Sequence, residues 1–149
     1  MNYWNRKDVP HKGWQNIGYE DLEEATHVCD MCGKEEIRYV HTMYHSLMED
    51  YFNVGCICAE KMTNDYKTPK DQIKKMKKKN TWMTVNWKKE NYYEYEYKSF
   101  NGKYGRTTVE IFKCNEGYVF CLDGYLRAGI NFATKKELKE TLYNDFVSI

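Results

Sequence analysis

Two close pairs of thiols carry the chemistry of this sequence. The first is Cys29-Asp30-Met31-Cys32-Gly33-Lys34 and the second is Gly55-Cys56-Ile57-Cys58-Ala59-Glu60. Each pair sits on one tight turn, and four thiolates converging from two turns can close a tetrahedral Zn²⁺ site with no open position. Such a set predicts one structural zinc per chain, held by Cys29, Cys32, Cys56 and Cys58. Gly33 suits the first turn, where positive φ is often needed and backbone amides approach the sulfurs. The Cys-x-Cys half is tighter than the usual Cys-x-x-Cys. His27, His41 and His45 lie near enough for one of them to replace a cysteine, and a disulfide or idle thiols are the other readings.

These ligands need elements to hold them. Between the pairs lie two β-rich runs, Ile37-Arg38-Tyr39-Val40 and Tyr51-Phe52-Asn53-Val54, and Ala59-Glu60-Lys61-Met62 reads as a helix start. Knuckle, hairpin, and a second pair at a helix N-terminus is the layout of a treble-clef zinc finger. Residues 1–66 are therefore expected to form an acidic arm plus a four-cysteine zinc module. The arm over 1–26, with Trp4, Pro10, Trp14 and the acidic run Glu20-Asp21-Leu22-Glu23-Glu24, reads as irregular with one short turn. A module this small draws much of its folding free energy from the metal.

The formal net charge of +1 conceals a segregated pattern. Residues 1–66 carry 6 basic and 12 acidic side chains, residues 67–89 carry nine Lys against Asp71 alone, and residues 90–149 carry 8 basic and 9 acidic. Such a block suits either a polyanion or the acidic arm of the same chain. Thr68-Pro69-Lys70-Asp71 is a helix-start signature with Thr68 as N-cap, and the helix is expected to end near Asn80. Its apolar stripe is thin, Ile73 and Met76 only. Residues 67–90 thus read as a basic helical linker, and two uses fit it equally. Lys70, Lys74, Lys75, Lys77, Lys78 and Lys79 suit phosphates, with Trp82 and Trp87 stacking on bases. A solvated connector, with both tryptophans packed, fits as well.

Residues 91–149 read as an antiparallel sheet with a C-terminal helix, a ββββα unit, which makes the whole chain α+β. Tyr93, Tyr95 and Tyr97 alternate with acids, Asn101-Gly102 marks a turn, and Thr107–Phe112 and Tyr118–Leu122 are strands. Asp123-Gly124 is a two-residue hairpin signal before a fourth strand, Tyr125–Phe132. Thr134-Lys135-Lys136-Glu137 is a capping box, and Leu138, Leu142 and Phe146 form an i, i+4 stripe for one face of the sheet. Cys114 and Cys121 read as small packed residues.

The hydrophobic share is 42%, with 14 Tyr, 6 Phe and 4 Trp supplying large amphipathic surfaces. No apolar run reaches the ~20 residues of a membrane span, and Met1-Asn2-Tyr3-Trp4-Asn5-Arg6 lacks a signal-peptide core. A cytoplasmic protein is expected, where six cysteines favour metal over disulfides. No His is followed two residues later by Glu, as zinc deaminases require, and there is no P-loop, G-x-G-x-x-G or G-x-S-x-G. A redox role for Cys29 and Cys32 would leave Cys56 and Cys58 unexplained. The chain is expected not to be an enzyme.

The residues Cys29-x-x-Cys32-Gly33-Lys34, Arg38-Tyr39-Val40-His41 and Val54-Gly55-Cys56-x-Cys58-Ala59-Glu60 resemble a pattern in small bacterial and phage proteins. The Lys-rich segment, the Trp82/Trp87 pair and Phe132-Ala133-Thr134-Lys135-Lys136-Glu137-Leu138 continue the resemblance over about two-thirds of the chain. It implies zinc, a prokaryotic or phage source and a two-part layout, and carries no activity of its own. The chain is also similar in outline to HNH (His-Me finger) nucleases, where a strand histidine is the general base. His41 would match that histidine and His45 a loop residue. However, Val40 and Thr42 stand where an acidic or second-histidine neighbour is usual, and Glu60, Lys61 and Asn64 stand where the family holds metal.

Two expectations follow. One is a zinc-binding interaction module that grips nucleic acid or a nucleoprotein through the basic helix. The other is a phage or mobile-element accessory protein that binds and inhibits a host defence protein in an anti-CRISPR manner.

Overall fold

The computed structural model of the chain describes residues 2–90, 95–126 and 131–148, and these form a mixed α+β protein with two antiparallel sheets and three α-helices. The chain divides into two compact units, Met1–Lys78 and Lys79–Ile149. No described helix is long and apolar enough to cross a membrane.

In the first unit, β1 (Gln15–Asp21), β2 (Tyr39–Tyr44) and β3 (Phe52–Val54) make a three-stranded sheet in that order. The acidic arm is therefore not irregular. Tyr3–Asn5 forms a 3-10 turn capped by Asn2, and Tyr3 donates its amide to the Met31 carbonyl at 2.7 Å, which straps the N-terminus over the first cysteine turn. Gln15–Asp21 pairs along the whole of β2, with an irregularity between Asn16 and Gly18. Its sequence hides this because pairing satisfies backbone groups whatever the side chains are, and Ile17 and Tyr19 remain exposed. The core beneath the sheet is built from Trp14, Met31, Met43, Phe52, Val54, Ala59 and Met62. All of these but Trp14 and Phe52 are completely shielded from solvent. Two of the cysteines, Cys29 and Cys58, belong to the same core.

Helix α1 (Cys56–Thr63) ends at Asn64 in the left-handed conformation, and α2 (Thr68–Thr84) follows. Thr68 is not its cap. The Asp65 carboxylate accepts from the amides of Lys67 and Thr68 at 3.0 and 2.9 Å, so the capping oxygen comes from three residues upstream. The helix also runs past Asn80 to Thr84, because Trp82 supplies a buried anchor beyond the lysines. The boundary between the two units falls inside α2.

The second unit is a meander in which sequence neighbours are spatial neighbours. It comprises β4 (Lys88–Glu90), β5 (Tyr95–Gly102), β6 (Gly105–Cys114), β7 (Gly117–Leu122) and β8 (Tyr125–Leu126). Five strands stand where the sequence predicts four, since Lys88-Lys89-Glu90 pairs with Tyr97-Glu96-Tyr95. Asn101-Gly102 is strand rather than turn. Gly102 faces Gly105 in register, and Lys103-Tyr104 makes the bend. Asp123, at φ +49°, opens the two-residue turn between β7 and β8 as its sequence predicts. Tyr93 and part of the Tyr125–Phe132 strand lie outside the described residues, although Phe132 bridges back to Tyr118.

Thr134 caps α3 (Lys135–Leu142) by accepting from the Glu137 amide at 3.2 Å, and a single π-helical turn, Tyr143–Val147, closes the chain. Leu138 and Leu142 are fully buried against Phe100, Val109, Ile111, Phe120 and Leu122, with Phe146 partly buried beside them. Cys114 is exposed, not packed, because it ends β6 at a turn.

One close approach in this unit is intolerant of a side chain. A Cβ on Gly102 would lie 2.1 Å from the Phe146 carbonyl oxygen and 2.7 Å from the Phe100 ring. That carbonyl also accepts the Lys103 amide at 2.8 Å, so it cannot move aside freely. Gly102→Ala is expected to destabilise the second unit by about 1–3 kcal/mol, as overpacking does. Gly18→Ala, whose Cβ would meet nothing within 4 Å, should cost much less. Chemical denaturation of the two variants side by side checks this.

Candidate metal centre

The site begins with the turn at Cys29. The Gly33 amide donates to the Cys29 carbonyl at 2.9 Å, the Cys29 amide donates to the Lys34 carbonyl at 2.8 Å, and Gly33 sits at φ +79°. The turn is fastened to β3 twice. Asp30 donates its amide to the Asn53 carbonyl at 3.0 Å, and its carboxylate accepts from the Asn53 amide at 2.7 Å. Where β3 ends, α1 begins at once, and its first turn delivers Cys58 to the same place.

The Sγ atoms of Cys29, Cys32 and Cys58 all lie within 4.8 Å of one another. Sulfurs at the corners of a zinc tetrahedron stand about 3.8 Å apart, given Zn–S bonds of about 2.3 Å, so small adjustments would bring these three onto one ion. The electrostatics suit a cation. The Cys29 thiol is pulled down to about 5, first by the Cys58 thiol that donates to it and then by the amides of Cys32, Gly55 and Met31. A thiolate in that amide cradle is the form that binds metal. Cys58, as the donor of that pair and a buried group, is pushed upward, while the Trp4 indole donates to its sulfur at 3.4 Å. Three soft sulfurs partly sunk in an apolar core are a donor set that fits Zn²⁺ or a similarly thiophilic ion.

The fourth expected ligand stands apart. Cys56 directs its thiol toward Glu60 Oε1 at 3.6 Å, and burial together with the Glu60 carboxylate pushes it up to about 11. Glu60 is itself buried and ion-paired to Lys70 at 3.0 Å. Two residues of one helical turn thus meet different thiol environments: Cys58 faces other sulfurs, and Cys56 faces an anion.

No histidine takes the fourth position among the described residues. His27 bonds the Asn53 carbonyl at 3.0 Å and His45 the Lys12 carbonyl at 3.1 Å. His41 is fully buried and donates Nδ1–H to Gln72 Oε1 at 2.7 Å, where Asn16 also donates. Burial lowers its pKa. A general base must reach water or phosphate, and here the His41 ring is fully buried and held by Gln72 of α2.

The residues singled out for nucleic acid separate into three groups. Trp82 and Trp87 are 5% and 4% exposed and stack edge-to-face in the second unit's core at 5.1 Å. Buried indoles offer no face to a base, so both belong to packing. Lys70 and Lys79 are engaged by Glu60 and Glu140 at 3.0 and 3.1 Å, and Lys77 lies over the Tyr39 ring. Lys74, Lys75 and Lys78 are exposed, with no ion-pair partner among the described residues.

The contacts by which Trp4 and Glu60 shape the cysteine site are not given by the motifs. Trp4 reaches Cys58 across 54 residues, and Glu60 looks like any helix-surface acid. Comparison with family models, with curated proteins and with solved structures finds no match, so the likenesses above rest on their motifs alone.

Proposed function

We propose that the chain is a non-enzymatic interaction module whose first unit is a treble-clef-like zinc finger and whose helix α2 grips nucleic acid or a nucleoprotein. The convergence of Cys29, Cys32 and Cys58 supports the metal part. Cys56, two residues from Cys58 with its thiol turned to Glu60, would complete the set by rotating toward the other three sulfurs, and zinc held so would be structural, tying the first turn to α1. The observation that carries the binding part is the exposure of Lys74, Lys75 and Lys78 on one helix while their neighbours Lys70 and Lys79 are neutralised.

Each lysine that meets a phosphate releases a counterion, so affinity falls linearly with salt on logarithmic axes. Lys74→Ala, Lys75→Ala and Lys78→Ala together are expected to flatten that slope by about 2–3. Lys70→Ala should change it little. Fluorescence anisotropy with labelled single- and double-stranded DNA and RNA, across a salt series, measures both. Affinity and slope that survive the triple substitution would end this reading. Binding of a protein partner through nuclease treatment and high salt would favour the inhibitor reading instead.

A further inference from the structure

Among the described residues, four lysines and one carboxylate are grouped on the helix-covered side of the second sheet. Glu96 points to the face that α3 packs on, opposite the buried Ile111, and Lys89 stands directly across from it in register. Lys98, two residues on, extends its ammonium over the Trp82 ring at 5.9 Å from the centroid. From α3, Lys135 reaches the Glu96 carboxylate, and Lys139, one turn later, lies over the Trp87 ring at 4.9 Å. Directly opposite residues in a sheet share a face, so the grouping follows from strand register and not from side-chain rotamers alone.

Among the described residues the charge here is unbalanced. Lys139 is only 8% exposed, and among the described residues Glu96 is the acid placed to offset it. Burial and repulsion from Lys135 and Lys98 push its ammonium toward deprotonation. A buried ammonium among like charges is costly unless an anion compensates it. A second feature points the same way. The N–H of the Trp87 indole, whose ring the Lys139 ammonium overlies, is buried and has no acceptor among the described residues. Buried donors are almost always paired in native proteins. Trp82, by contrast, gives its N–H to the Lys139 carbonyl at 2.9 Å, which fixes α3 over the two rings.

We propose that Lys98, Lys135 and Lys139, floored by Trp87, form a binding site for a phosphate-type oxyanion. The site goes beyond the α2 reading: it uses none of Lys74, Lys75 or Lys78 and lies wholly in the second unit. Glu96 is the internal competitor, occupying Lys135 until the oxyanion displaces it. The phosphate belongs either to a free ion or to a nucleic-acid backbone.

The two rings beneath the ammoniums supply the readout. The full-length protein is titrated with inorganic phosphate against chloride at matched ionic strength, following the Trp87 indole N–H resonance and tryptophan emission. A saturable response to phosphate alone is expected. Lys135→Gln and Lys139→Met should each weaken it about tenfold, the loss of one charge-assisted contact. Glu96→Gln should strengthen it severalfold, an effect that a purely structural role for Glu96 does not produce. The Lys135 side chain is more than a third exposed, so its variant remains informative even where Lys139→Met perturbs packing. A short single-stranded oligonucleotide that shifts the same resonance and is displaced by phosphate assigns the site to a nucleic-acid backbone. An oligonucleotide without effect, beside a phosphate response, assigns it to the free ion. A phosphate response no different from chloride, or one unchanged in Lys135→Gln and Lys139→Met, overturns the proposal.

Discussion

Cys58→Ser is expected to abolish stoichiometric metal binding and to unfold the first unit while leaving the second folded. Cys58 is the thiol that links the two halves of the site, facing Cys29 and Cys32 and receiving the Trp4 indole. Structural zinc in small modules contributes about 10–16 kcal/mol of apparent binding free energy. That matches or exceeds the about 5–15 kcal/mol by which whole domains are stable. With zinc bound as proposed, removing a central ligand is therefore expected to cost most of what holds the unit together, and a serine hydroxyl in the same core adds a polar group with poorer partners. Elemental analysis should find about one zinc in the wild-type chain and none in the variant. Circular dichroism and hydrogen exchange should show protection lost across β1–β3 and retained across β5–β7. Chelation of the wild type should reproduce the variant. Cys56→Ser separates the role of the fourth thiol: a large fall in metal affinity makes Cys56 a ligand, and an unchanged affinity leaves a three-sulfur site. A wild-type chain that is metal-free and fully folded would remove the centre from this description.

The second large effect is expected at Leu138→Ala. Leu138 is fully buried where α3 meets the sheet, with Leu142 one turn away and equally buried. Truncating a leucine in such a place loses transfer free energy and leaves a cavity, typically about 2–5 kcal/mol in total. For a unit of this size each kcal/mol moves the midpoint by about 4–8 °C, so a fall of more than about 10 °C is expected in the thermal transition that persists under chelation. Metal content should be unchanged. Phe146→Ala, at a partly buried position on the same stripe, should cost less. Equal losses at the two positions would show that α3 is not the anchor of this unit.

The features that sequence reveals here are those whose chemistry is local. The knuckle around Cys29 and Cys32, the Asp123-Gly124 turn and the Thr134 cap each need a few neighbouring residues of particular type, and each is present in the structure. The Leu138–Leu142 stripe is legible for the same reason. What escapes a sequence reading is decided at a distance. Gln15–Asp21 and Lys88–Glu90 carry little strand propensity and owe their conformation to partners on β2 and β5. Trp82 and Trp87 are visible as aromatic residues, but an indole packs and stacks with the same ring, and only burial shows which it does here. Cys56 shows the limit most clearly. Its spacing from Cys58 makes it a ligand on paper, and Glu60, one turn along, gives its thiol another place to point.

The composition of β4 has a consequence for life in a crowded solution. A sheet's outermost strand presents unpaired amides and carbonyls that can template the addition of strands from other molecules. Among the described residues that strand is Lys88-Lys89-Glu90, three charged residues long. Any incoming chain would have to desolvate two ammoniums and align with a run too short to hold it. The same residues that make this strand hard to find in the sequence therefore guard that side of the sheet against self-association.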